Sequence, residues 1–400
     1  MEDAEMAATG RIILASVSAF MLLILLIFAS VVIAGASIAH AESSAIGLKV
    51  EPDRIERRFG LPPQTGRITL MDDEGLVIRE ADGASTTVRW DRVREVHQER
   101  PDPRLESWLA QGERMWRARI RLERGDVVMA EPLLRELFEQ TRGQSHAGAR
   151  LVAEGLLRCR LVRGEQAGAV LPALEVIRLH RAGIESDAYR ALPAVLDEKH
   201  ELVPALPPVW QAAAGDLALV SELEQYDAQG DAVVAQLALR YRQIAARQAG
   251  HVIDAPPARS SAADSAQHPG LQLVQLLVDA HDGDSTRREE SRRVMKQQME
   301  QADGWVEAWL RFHLGSSLLE EEGVGRKQRG LVALIHLPAR FSGLQPYLAG
   351  LALDRAREGA EKLNMNELAD RLRVELERNW SNHPIRRTTE RGRTRIGSAH

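Results

Sequence analysis

The apolar positions of this chain change period twice. Residues 12–38 form an unbroken uncharged run, IILASVSAFMLLILLIFASVVIAGASI. At ~1.5 Å per residue, a helix of that length spans a ~30 Å hydrocarbon layer. Over residues 65–97 the period is two. Ile68 and Leu70 alternate with Arg67 and Thr69, Leu76-Val77-Ile78 follows a turn at Asp72-Asp73-Glu74-Gly75, and Thr86, Val88 and Trp90 follow a second turn at Ala81-Asp82-Gly83. This pattern predicts a small meander with one buried face, Trp90 in its core, and Val93 and Val96 in a short fourth strand. Pro101-Asp102-Pro103 ends it, because proline fixes φ and disfavours helix in the residue before it. From 104 to 384 the apolar period is helical, interrupted by short Gly or Pro turns.

The hydrophobic run is followed by Ala39-His40-Ala41, an A-x-A arrangement that signal peptidase accepts, and then by polar Glu42-Ser43-Ser44. Two readings stand. Cleavage at Ala39 or Ala41 explains the small residues, whereas an uncleaved anchor explains the length. Under both, Arg11 stays cytoplasmic and the chain after Ala41 is exported. Glu2, Asp3 and Glu5 oppose Arg11, and a start at Met6 instead of Met1 removes all three.

Within the helical region a single unit stands out. Ala118 and Leu122 precede Gly125, and Ala130 and Leu134 follow it. Small residues at 118 and 130 allow two helix axes to approach closely across a turn at Gly125. The spacing returns at Gly164 and Ala169, and again at Asn364 and Ala369, followed by Leu372, Leu376 and Trp380-Ser381-Asn382-His383-Pro384. Another unit runs from Trp309 through Leu314-Gly315 and Leu331, Leu334 and Leu337 to an end at Pro338, and Gln345-Pro346 opens the next. This grammar resembles the tetratricopeptide (TPR) hairpin. The step from Gly125 to Gly164 is longer than the 34-residue TPR repeat, and no unit carries the full consensus, so the resemblance is to TPR-like repeats. The meander resembles small SH3-like or Sm-like barrels in rhythm. What these resemblances imply is a mainly α protein, a TPR-like helical-hairpin solenoid in two lobes behind a small SH3/Sm-like β-module and an N-terminal hydrophobic helix. Such an array presents a groove for extended peptides or partner helices.

Between the lobes, Pro256-Pro257 and the Ser- and Ala-rich residues up to Pro269-Gly270 lack an apolar period and predict a linker. The expected organisation is signal peptide or anchor 1–41, β-module 42–100, first lobe 101–250, linker 251–270, second lobe 271–384 and a disordered basic tail 385–400.

Composition narrows the chemistry. Hydrophobic residues make up 44% and charged residues 27%, values of a chain able to bury a core, and the net charge of -5 argues against general nucleic-acid binding. One cysteine, Cys159, permits neither an intramolecular disulfide nor a thiolate zinc site and is expected in the core. The most site-like run, residues 279–284, places Asp279, His281, Asp282 and Asp284 together, as a metal or general-acid cluster does. Its glycine is misplaced for a calcium loop, and a helix-end turn with Asp284 or Ser285 as cap explains it with less strain. His313 and His336 read as satisfied core histidines, and Glu320-Glu321-Glu322 as a solvated helix end. No i, i+4 histidine pair, phosphate loop or G-x-S-x-G elbow occurs. The expectation is therefore an exported scaffold without cofactor or catalytic residues, binding a protein or peptide partner in the cell envelope, with membrane contact through residues 12–38 if these are retained. An envelope metallohydrolase built on the 279–284 run and a purely structural protein are the alternatives.

Overall fold

The computed structural model describes residues 51–209, 216–251, 268–302 and 304–385. The run 12–38, Ala39, Ala41, linker residues 252–267 and the tail beyond Ile385 lie outside them. Among the described residues the protein is mainly helical, with twelve α-helices and one five-stranded antiparallel sheet. No helix among them is long and apolar enough to cross a membrane.

The strands are β1 (Asp53–Arg57), β2 (Gln64–Met71), β3 (Leu76–Arg79), β4 (Ser85–Val88) and β5 (Val93–His97), in the order β4-β3-β2-β1-β5. The alternation in β2 breaks where the sequence pattern promises continuity. A register shift between Ile68 and Leu70 inserts Thr69, so Met71 turns inward against Leu76 and Leu70 is left 52% exposed. The buried face comprises Ile55, Met71, Leu76, Ile78, Val88, Trp90 and Val93. It is covered by Leu105, Trp108 and Leu109 of α1 (Leu105–Glu123). Trp90 stacks on Trp108 with ring centroids 5.3 Å apart, and its Nε1 donates to the Asp72 carbonyl at 2.7 Å. Gly112 is the point of closest approach, since a Cβ there would stand 2.4 Å from the Trp90 carbonyl oxygen.

Three hairpins follow from local chemistry. Helix α1 turns at Gly125 into α2 (Val127–Thr141), where Asp126 accepts from the Met129 amide and so caps the new helix. Helix α3 (Ala147–Arg163) turns at Gly164 into α4 (Gln166–Arg181), and α11 (Pro346–Lys362) turns at Asn364 into α12 (Asn366–Asn379). Gly125, Gly164 and Asn364 all have left-handed backbone, with φ of 78, 73 and 58°. Glycine and asparagine adopt that region at least cost. The remaining helices are α5 (Asp216–Glu224), α6 (Ala232–Gln248), α7 (Pro269–Asp279), α8 (Ser285–Met299), α9 (Gly304–Glu320) and α10 (Val324–Phe341). Pro269 and Gly270, expected in the linker, open α7. Helix α10 does not stop at Pro338 but runs on to Phe341, because a proline this near the C-terminal end removes only one late backbone hydrogen bond.

Residues 182–209, where the sequence pattern predicts a continued helical lobe, form an irregular segment whose Tyr189, Leu202, Val203, Leu206 and Val209 are buried. The prolines at 193, 204, 207 and 208 prevent helix there, yet the segment supplies main-chain partners. The Pro204 carbonyl accepts from Trp309 Nε1 at 3.3 Å and from Gln345 Nε2 at 3.0 Å. Glu201 accepts from Arg181 at 2.6 Å and lies 2.8 Å from His268 Nε2. The expected break between two lobes is not visible in the buried side chains, which form one cluster from Met115 to Ile385.

Candidate functional site

The residues singled out for hairpin packing lie where two helices meet. Ala118, Leu122, Ala130 and Leu134 are buried between α1 and α2, Ala169 on α4, and Ala369 and Leu372 on α12. Gly125, Gly164 and Asn364 occupy the turns. None of these residues lines the cavity between α6 and α9. Cys159 is buried, and burial pushes its thiol up to about 12, which leaves it protonated and unreactive at neutral pH.

That cavity, of about 1050 Å³, is walled on one side by α6 and on the other by α9, with the end of α7 and the turn after it between them. Helix α6 buries Val233, Val234, Leu237, Ala238, Tyr241 and Ala245 and turns a polar stripe, Gln236, Arg240, Gln243 and Arg247, toward the cavity. The spacings of four, three and four residues keep that stripe on one face. Helix α9 contributes Phe312, His313, Ser316 and Glu320, again on one face. Pro208, Val209, Ile244 and Leu277 add apolar wall.

The 279–284 run meets this cavity in an unexpected way. Asp284 caps α8 by accepting from the Thr286 amide at 2.8 Å, as the helix-end reading has it. Asp282 accepts from the Asp284 amide and from Arg287, and these hold its carboxyl below the usual range. Asp279 accepts from Gln275 at 2.6 Å, and burial raises its pKa. Their acceptors are thus spent locally. Among the described residues no three His, Cys, Asp or Glu side chains converge as metal ligands, so the metal cluster imagined for this run does not assemble. Yet Asp279, His281 and Asp282 all line the cavity.

Two sequence readings are corrected here. Glu321 is not solvated: it takes Arg288, Arg292 and Arg326, and hydrogen bonds from Arg292 and Arg288 hold its carboxyl down to about 2. His313 and His336 are not satisfied core histidines, since Nε2 of each is buried without a partner among the described residues. The periodicity that places His313 on a buried face, with His336 only half-buried, carries no information about what faces the ring nitrogens.

His313 belongs to a row of three. Glu320 Oε2 lies 3.1 Å from His281 Nδ1, and His281 Nε2 lies 3.4 Å from His313 Nδ1. A carboxylate only accepts, so a neutral His281 carries its proton on Nδ1 and offers Nε2 as an acceptor. His313 then donates from Nδ1, which leaves its Nε2 bare. Burial holds the His313 pKa far below the ordinary histidine range, so the ring stays neutral. What burial Glu320 has opposes its ionisation, but the side chain is 62% exposed, and the hydrogen bond from His281, with Arg355 and Arg247 nearby, outweighs it and lowers its pKa. One turn from His313, Ser316 Oγ is also buried and unpartnered, as are Arg240 Nε and Gln248 Oε1 on the opposite wall. No protein-family model, curated protein or solved structure matches this chain.

Sequence reasoning named His281 and Asp279 but missed Arg240, Arg247 and the alignment with Glu320. The signal that was available is the stripe on α6, four polar residues recurring on one helix face beside an apolar one.

Proposed function

We propose that this protein is an exported TPR-like hairpin scaffold that acts in the cell envelope by binding, not turnover, and that the α6/α9 cavity receives a group from its partner. The observation that carries the reading is the threefold recurrence of one device. A left-handed turn residue is followed five positions later by a buried alanine, at Gly125/Ala130, Gly164/Ala169 and Asn364/Ala369. Stacked hairpins of this kind are binding surfaces more than reaction vessels. The cavity supports the same role, because it joins an apolar wall to a few polar atoms that the fold leaves unpaired. Residues 12–38 provide export and, if retained, attachment to the membrane.

The test places a photo-crosslinking amino acid at Gln243, on the cavity wall, or at exposed Val374 as control, in the full chain in cells. Cell fractionation with protease shaving is run in parallel. The expected result is an adduct from position 243 that is missing from 374, on a protease-accessible extracytoplasmic chain. A cytosolic chain, or equal labelling from both positions, overturns the proposal.

A further inference from the structure

We infer that the cavity lined by α6 and α9 binds a small oxyanion that also carries a hydrogen-bond donor, its charge met by Arg240 and Arg247 and its donor by His313 Nε2. The inference rests on the binding role proposed above and specifies the chemistry of the occupant.

Three observations lead to it. Among the described residues no carboxylate lies within ion-pair distance of Arg240 or Arg247, although the other two cavity arginines are paired, Arg287 with Asp282 and Arg355 with Glu358. Asp279 acts on Arg240 only at longer range, and Asp282 and Glu320, which Arg247 faces, are already engaged by Arg287 and His281. Two guanidiniums on one helix face, seven residues or about two turns apart with Gln243 between them, form a cationic wall suited to the oxygens of a carboxylate or phosphate and of the group that carries it.

Second, the Glu320–His281–His313 row fixes the polarity of its inner end. With His281 neutral, each ring hands its proton outward toward Glu320, so the terminal Nε2 accepts. His313 is 4% exposed, and a buried acceptor without a partner costs the free protein stability, which a donor on the occupant restores. Third, Ser316, 8% exposed and one turn away, adds a hydroxyl that can serve either side of such a group. A bare anion answers the arginines and leaves His313 unmet. A neutral alcohol does the opposite. The class that answers both is an anion with its own O–H, either a phosphate that retains a proton or a 2-hydroxycarboxylate. The cavity volume leaves room for a larger molecule attached to it.

Two matched pairs of probes isolate the donor from the charge. Hydrogen phosphate and sulfate share size and shape, but only the first carries O–H at pH 7. Glycolate and acetate differ by the one hydroxyl. Affinities are measured by titration calorimetry on the full chain in neutral detergent at constant ionic strength. The expected result is that the hydroxyl-bearing member of at least one pair binds about tenfold more tightly, the scale of one buried hydrogen bond. Which pair responds identifies the oxyanion. Arg240→Gln weakens the preferred probe at least about fivefold. His281→Leu, which frees His313 to carry its proton on Nε2, collapses the preference within the pair while binding of the plain anion persists. Should His281→Leu fail to fold, Ser316→Ala combined with the Arg240→Gln series still decides. Equal affinities within both pairs, or an Arg240→Gln variant that binds as wild type does, overturns the inference. A cavity-specific crosslink without anion preference would remove this inference and leave the binding role standing. A preference without a crosslink would do the reverse.

Discussion

Gly164, at the turn between α3 and α4, is packed against Pro384 near the end of the described chain: a Cβ built on the glycine would stand 2.2 Å from Pro384 Cγ. Residues far apart in sequence thus touch, and the second hairpin turn meets the end of the described helical body. Ile385, expected as the first residue of a disordered tail, is 3% exposed and belongs to the same core. The stretch before it is anchored by His383, whose ring stacks on Tyr347 and whose Nε2 lies 2.9 Å from the Tyr347 carbonyl.

Gly164→Ala therefore has two costs. The left-handed backbone is unfavourable for alanine by roughly 1–2 kcal/mol, and the overlap with Pro384 adds roughly 1–3 kcal/mol. Urea denaturation should show a loss of about 2–5 kcal/mol. A second substitution, Pro384→Ala, should recover the steric part but not the backbone part. A loss no larger than that of Gly125→Ala, where a Cβ meets nothing within 4 Å, would show that the contact carries no weight.

The Glu175–Arg178 pair is the most enclosed charge pair of the helical body, with side chains 2% and 3% exposed. Glu175 also accepts from the Gly143 amide at 3.0 Å and the Tyr226 hydroxyl at 2.8 Å, while Arg178 donates to the Gln144 carbonyl and Ser145. Glu175→Ala leaves a buried guanidinium without its counter-charge and should cost about 3–5 kcal/mol. Tyr226→Phe, which removes one hydrogen bond, should cost about 1 kcal/mol. Unfolding midpoints of both variants check the ratio, and similar values for the two would contradict it.

Gly112 sets the distance between α1 and the sheet. Gly112→Ala forces the Trp90 main chain away and should weaken sheet packing by roughly 1–3 kcal/mol. Trp90 stacks on Trp108, so the tryptophan emission should shift to longer wavelength in the folded variant. An unchanged spectrum with unchanged stability would argue against this contact.

Three buried histidines set a pH dependence. His146, His313 and His383 all have pKa values lowered, chiefly by burial, from an ordinary 6.5. The unfolded chain binds protons as pH falls through about 6.5, and the folded chain takes them up only at lower pH. Their contribution is therefore complete above about 6.5 and is lost as pH drops toward the folded values, by up to ~1.4 kcal/mol per pH unit for each group. Unfolding free energies at pH 7.5 and 5.5 should reveal the slope, and His313→Gln should flatten it. A slope unchanged in that variant would mean His313 titrates normally.

Legibility in the sequence followed the side chains. The hairpin turns could be found because glycine or asparagine and a small residue five positions on are visible without knowledge of their partners. Strand β1 could not: Asp-Arg-Ile-Glu-Arg has a single apolar residue, and its place between β2 and β5 depends on main-chain pairing. The bulge at Thr69 and the irregular path of residues 182–209 are likewise set by tertiary contacts. For the cavity, the histidine and acids of the 279–284 run were visible, but the half of the wall that comes from α6 and α9 required the fold.

The Pro204 carbonyl, which holds both Trp309 and Gln345, illustrates a further asymmetry. Its oxygen is present whatever side chain stands at position 204, so no substitution there deletes the acceptor. The donors can be mutated, but the acceptor can only be moved, by lengthening or shortening the segment that carries it. In a family of such chains this junction would tolerate drift in residue identity while resisting insertions and deletions, and an amide-to-ester replacement of the following peptide bond, which makes that carbonyl a poorer acceptor, would be the chemical edit that loosens both helices at once.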